Sequence, residues 1–114
     1  MRTTNQLTSQ VEEAALNALG RAHKVPVPPI TPMGKSRWGV LGDTRAANVL
    51  VRTNGSMVDV RFVDFDWAGL VGRARYPSSM NHWTLVWPKG VEESLQITAA
   101  KDKLVLRGSF KGYT

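Results

Sequence analysis

The sequence predicts a small α+β fold, and three observations carry that expectation. An amphipathic stretch lies near the N-terminus, an Asn-Gly turn joins two short strands, and a capped helical segment lies near the C-terminus. At 114 residues the chain can bury one modest core and is short for a two-lobed enzyme.

Taken in order, Ser9 to Leu19 read as the first helix. Ser9 and Glu12 have capping-box spacing, Val11, Ala15, Leu16 and Leu19 recur at helical intervals, and Gly20 can end the run. Val25 to Gly34 follows, where four prolines within seven residues remove amide donors and leave an extended linker. This places a boundary near Gly34. Trp38 to Leu41 is a short apolar run leading into a loop at Asp43, and Asn48 to Arg52 reads as a strand. Thr53-Asn54-Gly55-Ser56 is a hairpin turn, because Asn-Gly tolerates positive φ. On the return strand Val58, Val60 and Phe62 alternate with Asp59 and Arg61, one face to a core and one to water. The hairpin brings Asn48 and Asp64 to the same end. Beyond Gly69 the chain is loop-like through Gly72, Pro77, Ser78, Ser79 and Asn81, with an apolar stretch from Trp83 to Trp87. Thr98 caps a second helix to Leu106, with Ala99, Leu104 and Leu106 available for burial, and Gly108 to Thr114 is expected to fray.

Composition narrows the function classes. Fifteen Lys and Arg oppose nine Asp and Glu, a net charge of +6 that favours anionic partners. The cations are scattered from Arg2 to Lys111 and accompany no nucleic-acid module, so nucleic acid is a disfavoured partner. The absence of cysteine excludes disulfides, thiolate zinc sites and a cysteine nucleophile. No segment has the apolar length of a signal peptide core or membrane span, and the expectation is a cytoplasmic protein. Trp67, Trp83 and Trp87 read as packing aromatics, and His23 and His82 as isolated surface or packing residues.

Phosphoryl transfer needs a group that orients the attacking hydroxyl, a cation near the transferred phosphoryl, and divalent metal to neutralise the polyphosphate. The chain has a candidate for each part. Asp43 can orient the hydroxyl or accept its proton, and Arg45 can reach the phosphoryl oxygens. Asn48 and Asp64 are hard oxygen ligands suited to magnesium, and Asp66 is an additional one.

The ordered run Gly42-Asp43, Arg45, Asn48 to Val51, Val63 to Gly69, Tyr76-Pro77 and Trp87 to Val91 resembles the protein-kinase-like superfamily, and fungal-type kinase-like domains in particular. The resemblance runs from about Gly39 to Leu106. It implies a partial C-terminal lobe containing the catalytic loop and the Asp-Phe-Asp-Trp-Ala-Gly metal segment. It also implies Mg2+ and ATP, with a protein or small-molecule hydroxyl as acceptor. By the same resemblance Asp102 sits under the catalytic loop and hydrogen-bonds its backbone.

Two departures accompany the likeness. Leu41 stands where the pattern has His, and no glycine-rich loop or lysine-bearing strand precedes it. The resulting division is 1–34 as N-terminal helix and proline-rich linker, and 35–114 as C-lobe core with the N-terminal lobe missing. The expected function is a truncated kinase-like transferase, a fragment inactive by itself. The alternative is a pseudokinase remnant that serves as a protein-interaction module, and a basic nucleic-acid binder stands third.

Overall fold

The computed structural model describes residues 4–24, 26–27 and 37–111. Their architecture is α+β: two helices and two small antiparallel sheets. Helix α1 spans Thr4–His23 and strand β1 Pro26–Val27. Strand β2 spans Arg37–Val40, and a single 3-10 turn at Ala46–Asn48 precedes β3, Val49–Asn54. Strand β4 is Met57–Phe62, β5 is Gly69–Leu70, and helix α2 is Ala99–Phe110. One sheet has the order β1-β2-β5 and the other is the β3-β4 hairpin. Among the described residues no helix is long and apolar enough to cross a membrane.

Helix α1 is longer than its sequence boundaries. Ser9 lies inside it, so the Ser9/Glu12 pair caps nothing, and the helix passes through Gly20 to His23. Glycine permits a helix end but does not compel one, and here the buried face continues one turn past it to His23, which meets Asp102. Val11, Ala15 and Leu19 recur every fourth residue and are buried, which keeps one face of α1 against the core to its last turn.

The hairpin forms with the alternation expected of it. Val60 is buried, Val58 and Phe62 are half-buried, and Asp59 and Arg61 are exposed. Pairing runs from Val49↔Phe62 to Asn54↔Met57, so the loop narrows to Gly55-Ser56. Gly55 alone there takes a positive φ, 61°, as a two-residue turn with glycine first requires.

Helix α2 begins where its cap predicts, with Thr98 Oγ1 accepting from Lys101 N at 3.1 Å. Its buried stripe is Asp102, Val105, Leu106 and Ser109, while Leu104 is 48% exposed and faces away. The expected fraying from Gly108 fails, because Gly108 and Ser109 are buried and the helix runs on to Phe110. Residues 112–114 lie outside the described set, as do Val25, the rest of the proline-rich linker from Pro28, and the boundary at Gly34. Pro26 and Val27 belong to β1, paired with Trp38 and Arg37.

Two apolar clusters form the core. Val11, Ala15 and Leu19 of α1 pack with Val60 and Leu106. Val40, Tyr76, Met80, Val91, Ile97 and Val105 make the other, with Trp67, Ala74 and Trp87 packed against it. Adjacent residues of α2, Val105 and Leu106, enter different clusters, so this helix is the wall the two share. Asp102 lies three and four residues before them, on the same helical face, and therefore at the seam.

Candidate active site at the Asp43 loop

The loop between β2 and the 3-10 turn is held from below by Asp102, which is fully buried. Its carboxylate accepts from Leu41 N at 2.9 Å and from Gly42 N at 2.8 Å, and its backbone carbonyl accepts from Thr44 Oγ1 at 2.6 Å. The fourth partner comes from α1, where His23 Nε2 lies 2.8 Å from Asp102 Oδ2. An ionised carboxylate only accepts, so Nε2 carries the proton in this contact. Sequence reading took His23 as isolated. The signal that finds it is the four-residue spacing from Val11 through Ala15 and Leu19, which puts His23 on the buried face one turn further on.

Gly42 cannot be replaced at this turn. Its φ is +85°, and a Cβ there would meet Trp67 Cβ at 2.7 Å. Trp67 thus closes the loop from the side of the segment that follows β4. Ala46 N donates to Ser109 Oγ at 2.5 Å, tying the 3-10 turn to the end of α2.

Three of the expected site residues are brought together. Asp43 is nearly buried, at 8% exposure, and both its carboxylate oxygens accept from Arg45, Nε to Oδ1 at 2.7 Å and Nη2 to Oδ2 at 2.9 Å. Asn48, also buried, donates from Nδ2 to the Asp43 carbonyl at 3.2 Å. That leaves its amide oxygen as the atom a metal could use. The Arg45 pKa is raised, chiefly by the hydrogen bond to Asp43, against an opposing effect of burial; the charges of Asp43 and Asp64 add to the rise.

Asp64 follows the hairpin as expected. Val63 N donates to Asn48 O at 2.9 Å, so the chain leaves β4 directly beside the 3-10 turn. Asp64 itself is exposed and adopts φ 63°, a left-handed conformation uncommon outside glycine and found where surroundings impose it. Its Oδ1 accepts from Asp66 N at 3.3 Å, and Asp66 is exposed beyond it. Among the described residues no group of three or more His, Cys, Asp and Glu gathers at metal distance. Magnesium is commonly held by one or two carboxylates together with substrate phosphates; of the expected ligands Asp64 offers an exposed carboxylate and Asn48 a buried amide.

The aromatic residues divide. Trp67 and Trp87 are half-buried, their rings 5.7 Å apart, and Trp67 meets Tyr76 edge-on at 6.2 Å. Trp83 is 90% exposed and packs in no core, contrary to its expected role. The Tyr76 hydroxyl is buried without a hydrogen-bond partner, and burial, with the Asp102 charge, pushes its pKa up. Leu41 packs in the α1 cluster, whereas Phe65 is 57% exposed.

Compared with known protein families, curated proteins and solved structures, the chain matches none of them.

Proposed function

We propose that the chain carries the catalytic-loop core of a protein-kinase-like phosphotransferase, which transfers the γ-phosphoryl of ATP to a hydroxyl. One observation supports this reading above the rest: a fully buried carboxylate on α2 accepts the amides of Leu41 and Gly42 beneath Asp43. That is the arrangement the resemblance implies for Asp102. A catalytic aspartate works only if its backbone is held against thermal motion, and this loop is held by Asp102, Trp67 and Ser109.

In this reading Asp43 orients the acceptor hydroxyl and takes its proton as the oxygen attacks the γ-phosphorus and the bond to the bridging oxygen breaks, releasing ADP. Arg45 turns from Asp43 to the phosphoryl oxygens and stabilises their charge. Asn48 and Asp64, with Asp66 as an additional ligand, would hold magnesium, which would supply the charge that neutralises the polyphosphate. The expected test result is saturable binding of Mg-ATP to the chain in calorimetry, lost in Asp64→Asn and kept in Asp43→Asn. Binding that Asp64→Asn leaves unchanged refutes the metal assignment.

A second reading, the pseudokinase remnant acting as an interaction module, is favoured by the separation of Leu41 from Phe65. The residue at the histidine position packs toward α1 while the phenylalanine of the metal segment is exposed. Leu50, Val51, Met57 and Trp83 are also exposed, apolar surface that a partner protein would cover. In that case no magnesium-dependent nucleotide binding is expected at all.

A further inference from the structure

We propose that Trp87 is a positioning residue of the Asp43 site, its indole face holding the Arg45 guanidinium in place for exchange between Asp43 and a phosphoryl anion. The Arg45 role in this statement rests on the phosphotransferase reading; the positioning rests on geometry alone. The guanidinium carbon of Arg45 lies 5.4 Å from the Trp87 ring centroid, within the range where a cation is drawn to an indole face. The edge of the same guanidinium is committed to both oxygens of Asp43. Edge and face are thus fixed by different partners, which defines the plane of the group as well as its position. A lysine could supply the charge but neither the fork nor the stacking plane.

The indole is anchored independently of Arg45. Its Nε1–H donates to the Asn81 carbonyl at 2.9 Å, and its ring leans on Trp67 at 5.7 Å with a 41° tilt. Trp67 in turn presses on Gly42, where a Cβ would be 2.7 Å from its own. The path from Asn81 through Trp87 and Trp67 therefore returns to the turn that carries Asp43. Arg45 sits in extended backbone at the entry to the 3-10 turn, φ −62° and ψ 153°, and its side chain caps nothing there. Without the indole, only the two hydrogen bonds to Asp43 would hold its long side chain, and on leaving them it would sample rotamers at an entropic cost to any ordered exchange. With it, transfer from carboxylate to phosphoryl oxygens becomes a slide across one aromatic face.

The test is nuclear magnetic resonance of the 15N-labelled full chain, with the Arg45 Nε–Hε signal assigned by its disappearance in Arg45→Lys. The wild type is expected to show Arg45 side-chain protons displaced upfield by the indole ring current, with contacts to Trp87. Trp87→Leu should abolish that displacement and speed Nε–H exchange with solvent by about fivefold, and Trp87→Phe should recover most of both. Unshifted Arg45 protons in the wild type overturn the proposal without any variant, which covers the case in which Trp87→Leu fails to fold. Exchange unchanged in a folded Trp87→Leu overturns it as well. Addition of Mg-ATP separates the two ideas: Trp87 dependence without a nucleotide response of the Arg45 signal upholds the positioning role and counts against the phosphotransferase reading.

Discussion

Asp102 shows how much a single buried charge can organise. Four donors from helix α1 and a single loop converge on it: His23 from α1, the Leu41 and Gly42 amides, and the Thr44 hydroxyl on its carbonyl. Burying an ionised carboxylate is costly unless its oxygens are satisfied, and here they are. In Asp102→Asn the volume is kept, but the new amide group directs N–H donors at other donors. The expected loss is about 2–4 kcal/mol in urea unfolding, mostly from stranded buried donors. A loss within about 0.5 kcal/mol would show that the loop does not depend on the carboxylate. At this scale the sequence was informative about residue type and only partly about partner. Asp43, Arg45 and Asn48 come together where their spacing suggested. For His23 the spacing from Val11 marks the buried face but not the partner, which is 79 positions away.

Elements were legible where a local rule governs them. The hairpin and its alternating return strand formed as expected, since turn chemistry and period-two burial act over a few residues, but the turn is Gly55-Ser56, with Asn54 paired in β3 and, of the two, Gly55 alone at positive φ. Thr98 begins α2 for the same reason. The C-terminal ends of both helices run past their local signals, because the burial of Gly108 and Ser109 and the contact of His23 with Asp102 hold the last turns. The loop from Met80 to Ser94 has its own clip, a hydrogen bond between His82 and Glu93, both outside the core. The Glu93 pKa is lowered, first by a hydrogen bond from its own backbone and then by His82. A carboxyl group with a depressed folded pKa adds stability above its unfolded value and loses it as pH falls through the folded one. Wild type should therefore be more stable than Glu93→Gln at neutral pH, with the difference shrinking as pH is lowered below the ordinary 4.5. Thermal melts of both proteins at pH 7 and pH 3 check this, and a constant difference would rule the clip out as its source.

For the whole molecule, charge and packing set separate limits. Arg21, Lys24, Lys103 and Arg107 line a groove of about 570 Å3 between α1 and α2, together with Glu13 and with no aromatic residue. Such a groove can attract a polyanion but offers no stacking platform for bases. Binding of single-stranded RNA is expected to be sequence-blind, with a logarithmic salt slope of about −3 for four cations. Tight, sequence-selective binding at about 150 mM salt would restore the nucleic-acid reading. The joining of α1 to the core belongs to this scale too, since Val11, Ala15 and Leu19 share a cluster with Val60 and Leu106 across the segment read as a linker. By itself the sequence determined the α+β class, the hairpin, the cap of α2 and the grouping of Asp43, Arg45 and Asn48, because short-range stereochemistry and spacing dictate each of these. Only the tertiary structure decided that His23 meets Asp102, that Trp87 lies against Arg45, and that Leu41 and Phe65 part company. Those contacts join residues far apart in the chain, and they depend on how two apolar clusters fill the space on either side of α2.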